Sequence, residues 1–210
     1  MKAERGWHAL VALLALTGLA IEYRVTIAGH PGELAGRTIR FLSFFTILTN
    51  ALVMLASLGA AFGAGRLHRW TAGPAMSTAI SVHITVVAVI FQLLLAKLVH
   101  LTPLGWWGNM LVHQLVPALW LVGWIALAPH GGIGRWSPLR WLIYPLVYTA
   151  WTLIHGAATG WYPYPFMDVG QYGIGPTAAK MAGIALFFAA LGYAYRWIDG
   201  RLADWKHRSH

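Results

Sequence analysis

The sequence predicts an all-α membrane protein, a six-transmembrane-helix bundle with both termini cytoplasmic. Three observations predict it. Hydrophobic residues make up 58% of the 210-residue chain and charged residues only 10%, which is too little polar surface for a soluble domain of this size. The apolar residues fall into six near-continuous runs joined by short Gly, Pro, Arg and His segments, so the chain reads as one domain. Finally, the basic residues fall at run ends in the alternation that the positive-inside rule demands.

Each run is long enough, at about 1.5 Å per residue, to cross a hydrocarbon core of about 30 Å. The first, residues 7–28, has a basic start like a signal peptide, but its length and its Glu22 and Arg24 argue for a retained helix. The second, 39–63, places Ser43, Thr46 and Asn50 on one helical face, with Thr49 on another. The third, 74–99, carries His83, read as a satisfied bundle histidine. In the fourth, 106–129, Asn109 and His113 lie four apart, and Pro117 lacks the N–H that would pair with the His113 carbonyl, which loosens the helix at the imidazole. The fifth, 139–160, has a polar stripe of Tyr148, Thr152, His155 and Thr159; the sixth is 177–198.

Orientation follows from charge. With six alternating spans, Lys2, Arg5, Arg66, Arg69, Arg135, Arg140, Arg196, Arg201, Lys206 and Arg208 share one side, the cytoplasm. Only Arg24, Arg37, Arg40, Lys97 and Lys180 fall near the other. This scatter over loop ends explains the net charge of +9 without a nucleic-acid partner. Tryptophans at span ends, among them Trp7, Trp106 and Trp161, suit an interfacial belt. The absence of cysteine excludes disulfides, thiolate metal sites and a cysteine nucleophile. No Gly-x-Ser-x-Gly elbow, His-Glu-x-x-His pair or phosphate-cradling loop occurs, and no metal or cofactor is expected.

Counted down continuous helices from the outer surface, Thr46 and His113 each lie about 10 Å deep and His155 about 8 Å. Polar groups in hydrocarbon mark functional sites, and a hydroxyl beside imidazoles has the parts for cleaving an ester that partitions into the bilayer. Thr46, His113 and His155 thus present polar groups to one layer of the membrane. Asn50, Asn109 and Tyr148 share the polar faces and are candidates to steady an oxyanion. The Trp161–Asp168 segment, rich in aromatics and proline, is expected to fold back as a stiff lid.

Several residues carry a resemblance. Tyr148-x-x-Trp151-x-x-x-His155-x-x-x-Thr159-Gly160-Trp161, continuing to Pro165-Phe166, stands with Phe45-Thr46 upstream and His113-x-x-x-Pro117 between. The pattern resembles the androgen-induced and androgen-dependent-regulator membrane hydrolases, and more closely their bacterial predicted-six-transmembrane relatives. The animal members are threonine hydrolases of fatty acid esters of hydroxy fatty acids. The resemblance implies Thr46 as nucleophile and His113 as base, with Ser43 and Thr49 close enough in sequence to compete with Thr46. It implies a lipid ester substrate, surrounding membrane lipids as partners, and a place in the bacterial inner (plasma) membrane. His155 and Trp161, in its strongest stretch, are supporting or substrate-binding candidates.

Other readings stand beside this one. A threonine in a transmembrane helix commonly bonds the carbonyl one turn back. The polar cluster could glue helices in a non-enzymatic lipid-binding or assembly protein. His83, His113 and His155 could serve as axial ligands in a bis-histidine haem electron carrier, although His83 lies at a different depth and the level pair, His113 and His155, lies too near the surface to bridge two haems across a membrane. Glu22 could snorkel to water or orient an imidazole, and Asp168 has the same two readings. His30, His68, His100, His130, His207 and His210 read as solvated loop or terminal residues.

Overall fold

The computed structural model describes residues 2–29 and 31–208, and these form an all-helical bundle without strands. In chain order the helices are α1 (Lys2–Ile27), α2 (Leu34–Leu42), α3 (Phe45–Phe62), α4 (Gly65–Thr71), α5 (Pro74–Ile90), α6 (Pro103–Met110), α7 (Val116–Leu127), α8 (Ser137–Trp141), α9 (Ile143–Thr159), α10 (Val169–Tyr172) and α11 (Ile174–Arg208). A π-helical turn, Phe91–Leu95, extends α5, and another, Leu111–Leu115, joins α6 to α7. Among the described residues, five stretches are long and apolar enough to cross a membrane: Lys2–Ile27, Phe45–Phe62, Pro74–Leu95, Pro103–Leu127 and Ile174–Lys206. The expected fifth run is divided between α8 and the 17-residue α9, which is shorter than any of these.

The core runs through the crossing of α1, α3, α5 and α7, where Val11, Ala15, Val53, Ile80, Ile84 and Val116 are fully buried. Glycine sets how closely α1 approaches the helix that carries His113. A Cβ on Gly18 would meet Val112 Cγ1 at 2.9 Å, and one on Gly108 would meet Glu22 Oε1 at 2.7 Å. Both contacts are tighter than a side chain tolerates.

The expected second span is not one helix. It breaks at Ser43–Phe44, where Phe44 is extended with φ −88° and ψ 127°, and α3 begins only at Phe45. Neither proline nor glycine occurs at the break, so its cause is tertiary. The Tyr148 hydroxyl, from α9, donates to the Ser43 carbonyl at 2.9 Å, the acceptor that Ile47 N–H would have used in a continuous helix. Ile47 N–H turns to Phe44 O instead, at 3.1 Å. The depth of Thr46 counted from Ile39 along a straight helix therefore does not hold.

The expected loosening at Pro117 takes a definite form. With no N–H to pair with His113 O, the backbone widens, and Val116 N–H reaches back five residues to Leu111 O. The two π-turns meet in space: the Phe91 ring lies parallel to the His113 imidazole, centroids 3.7 Å apart.

At the far end of the bundle two sequence expectations fail. His130 is not solvated. Its side chain is fully buried, with Nδ1 donating to Asp199 Oδ1 at 3.0 Å, while Gly131 N–H donates to Oδ2 at 2.8 Å. Lys206 Nζ and Arg196 Nε donate to the carbonyls of Ala128 and Ile133, so the end of α11 is fastened to the loop after α7. His68 also turns inward and lines a small pocket with Trp7 and His8, its Nδ1 buried without a partner. In each case the connection between two longer helices, the loop after α7 for His130 and the short helix α4 for His68, folds back onto the bundle and covers the residue it carries. His100 is exposed as expected, while His30 and His210 lie outside the described residues, as does the side chain of His207.

Candidate active site

Because α3 starts at Phe45, Thr46 sits in its first turn. The consequence is chemical. Many hydroxyls on these helices bond the carbonyl four residues back, as Thr17, Thr26, Thr71, Ser81 and Thr149 do. Thr46 has no helical carbonyl below it. Its Oγ1 lies instead 3.3 Å from His113 Nε2 and 3.5 Å from the Tyr164 hydroxyl.

The imidazole is oriented by its other nitrogen. His113 Nδ1 lies 3.2 Å from the Asn109 carbonyl, and a carbonyl only accepts, so Nδ1 carries the proton. The neutral ring then presents a bare Nε2 lone pair to the Thr46 hydroxyl, the tautomer required of a base. The Phe91 ring stacked on its face prevents rotation. Asn50 Nδ2 donates both to Thr46 O at 2.9 Å and to Val112 O at 3.0 Å. That single amide ties the first turn of α3 to the π-turn that carries His113.

The lid segment folds over this pair. The Tyr162 ring lies against Gly156, where any Cβ would collide with it. Phe44 meets Trp161 and Tyr164 edge-on, each with centroids 5.7 Å apart, and Tyr164 stacks on Phe166 at 5.2 Å. The Tyr164 hydroxyl thereby accepts from Thr46 N–H at 3.4 Å. Burial pushes the Tyr164 phenol above the usual tyrosine range, so it keeps its proton at neutral pH.

Thr46 opens onto a cavity of about 220 Å³ between α3, α5, α9, α11 and the lid, lined by Phe45, Phe91, Tyr148, Tyr164 and Phe188 among others. Leu146 of α9 lines this cavity yet is 55% exposed. Ala182 of α11, also in the lining, is exposed as well, so the space reaches the outer surface of the bundle.

Of the residues singled out from sequence, Thr46, His113, Asn50, Asn109 and Tyr148 meet here. The donors of Asn50 and Tyr148 are already engaged with carbonyls. His155 and Trp161 lie beside one another, centroids 5.9 Å apart, on the far side of Phe44. His155 Nδ1 is buried without a partner and no hydrogen bond joins it to Thr46 or His113. The competing hydroxyls face other groups: Thr49 Oγ1 meets the Tyr144 hydroxyl at 3.2 Å, and Ser43 Oγ donates to Ile39 O. His83 donates from Nε2 to Trp141 O at 3.0 Å and packs among aromatic rings. Asp168 caps α10 by accepting from Gln171 N–H. Glu22 Oε1 is buried beside Gly108 without a hydrogen-bond partner. Tyr164 was missed by sequence reasoning. The aromatic-proline composition of its segment signalled rigidity, but nothing local marked which ring would reach Thr46.

No protein-family model matches this chain, and neither does any curated protein or solved structure.

Proposed function

We propose that this chain is an intramembrane threonine hydrolase of lipid esters. One observation carries the reading: a threonine hydroxyl freed from its helix lies 3.3 Å from the unprotonated nitrogen of an imidazole whose tautomer is fixed, at the end of an apolar cavity that opens sideways. His113 Nε2 takes the Thr46 proton as Oγ1 bonds to the ester carbonyl carbon, and the carbonyl electron pair moves onto oxygen. Collapse restores the carbonyl and breaks the bond to the alcohol, which leaves with the proton from His113. Water, deprotonated by the same nitrogen, then releases the fatty acid and restores Thr46. The sequence resemblance extends the reading to fatty acid esters of hydroxy fatty acids.

In this reading α9 joins the five longer helices as a sixth span, the basic helix ends support cytoplasmic termini, and the sequence resemblance implies a bacterial inner membrane. The site then lies toward the outer face, where water reaches the acyl-threonine while acyl tails stay in hydrocarbon. A probe that acylates nucleophilic hydroxyls should label Thr46 in the purified protein, and His113→Ala should prevent it. Labelling at Thr49 or Ser43, or none with an ester turned over normally, would end the assignment.

A further inference from the structure

The lid contributes a polar atom to the site as well as a cover. Thr46 N–H, in the first turn of α3, has no partner within its own helix, since the break removes the carbonyl it would use. It points at the Tyr164 oxygen, 3.4 Å away, and that oxygen also lies 3.5 Å from the Thr46 nucleophile. The carbonyl oxygen of a bound ester, once Oγ1 attacks, must settle next to Oγ1 and within about 2.7–3.1 Å of its donors. A position beside Oγ1 that faces both Thr46 N–H and the Tyr164 hydroxyl meets that condition once the phenol gives up its bond to the amide, and the positive end of the α3 dipole points the same way. Two of the other candidate donors are committed, Asn50 Nδ2 to two carbonyls and Tyr148 to Ser43 O, and Asn109 meets His113 through its main-chain carbonyl, which only accepts.

We infer that Tyr164 is a catalytic residue that donates its hydroxyl proton in a hydrogen bond to the oxyanion, so that hydrolysis proceeds only with the lid docked. The inference rests on the hydrolase reading above. In the empty site the phenol oxygen accepts the amide proton. When an ester oxygen takes that position, the phenol withdraws slightly and turns its own proton to the same oxygen. Docking depends on Gly156, the only residue type that lets the Tyr162 ring lie against α9 at that point. The docked lid thus completes the site, while substrate has the sideways opening past Leu146 and Ala182 for entry.

The test is steady-state hydrolysis of p-nitrophenyl butyrate and of a long-chain ester by the full chain in nanodiscs. Tyr164→Phe keeps the ring contacts with Phe44 and Phe166 and removes only the oxygen. It should lower kcat by about 10²–10³-fold, the loss seen when one oxyanion donor is removed, with KM nearly unchanged for both esters. Gly156→Ala should lower kcat through the displaced lid, and the Gly156→Ala, Tyr164→Phe double variant should be no slower than Tyr164→Phe. A kcat within about threefold of the parent for Tyr164→Phe, with Thr46→Ala inactive, overturns the role of Tyr164 and leaves the hydrolase reading intact. Activity retained by Thr46→Ala overturns both. Should Tyr164→Phe fail to fold, Tyr164→3,5-difluorotyrosine decides: its more acidic phenol should move the alkaline limb of kcat to lower pH, and an unmoved limb overturns the proposal.

Discussion

Two layers of buried hydroxyls occupy this bundle, and they are wired in opposite ways. On α5, Ser81 Oγ donates to Ser77 O at 2.9 Å and accepts from Trp120 Nε1 at 3.0 Å, while Thr78 Oγ1 accepts from Trp124 Nε1 at 3.1 Å. Ser81 thus has both its donor and an acceptor engaged within the helix pair. That arrangement holds α5 to α7 and offers nothing to a substrate. Around Thr46 the hydroxyl faces a bare imidazole nitrogen and a cavity. Residue type does not separate the layers, since both are threonine or serine among aromatics. What separates them is the backbone beneath: Ser81 has a helical carbonyl one turn back, and Thr46, just after a helix break, has none.

The strongest way to break this comparison is to remove the reacting pair. Thr46→Ala and His113→Ala should each abolish measurable ester hydrolysis, a loss of at least about 10²–10⁴-fold for the base, with the fold retained by circular dichroism. The double variant should be no worse than either single one, because residues that act as a unit are strongly non-additive. Losses that multiply would mean that the two side chains act separately.

A smaller effect is expected from Asn50→Ala, which strips the donor shared by Thr46 O and Val112 O. Interhelical hydrogen bonds in membrane bundles average about 0.6 kcal/mol and reach about 1.7. Only the bond to Val112 O crosses between helices, the one to Thr46 O lying within α3, so a fall in stability of about 1 kcal/mol is expected, read from thermal unfolding in detergent, with a partial loss of kcat as Thr46 and His113 move apart. Unchanged stability would remove Asn50 as the tie between α3 and the π-turn.

The smallest change should come from the other layer. Ser81→Ala is expected to reduce stability by less than about 1 kcal/mol and to leave kcat where it was. Thr49→Ala, whose hydroxyl meets Tyr144 rather than an imidazole, should also keep both hydrolysis and probe labelling at Thr46. If either variant silenced the protein as Thr46→Ala should, the division between structural and reactive hydroxyls would be untenable.

Much of the site was legible in the chain, and the reason lies in periodicity. Thr46 and Asn50, four apart, share a face because the helix period dictates it, and Asn109 and His113 do the same across the π-turn. Pro117 gave advance notice of the distortion at His113, because a missing N–H is a property of the residue itself. His130 and Asp199, 69 positions apart, could not be paired in this way, and His130 read as a solvated loop residue until the loop was seen folded on α11. Tyr164 was illegible for the same reason. Its reach to Thr46 spans 118 positions and depends on the Tyr162 ring finding a glycine on α9.

Sequence by itself determined the helical, apolar character of the chain, the faces on which its polar residues lie and the weak point before Pro117. These are local consequences of composition, period and a missing donor. Only the tertiary structure decided that α2 and α3 are separate helices. The break has no proline or glycine to announce it and exists because a tyrosine from α9 takes the Ser43 carbonyl. With that carbonyl satisfied from outside, the backbone turns, Thr46 becomes a first-turn residue, and its hydroxyl is left to the imidazole.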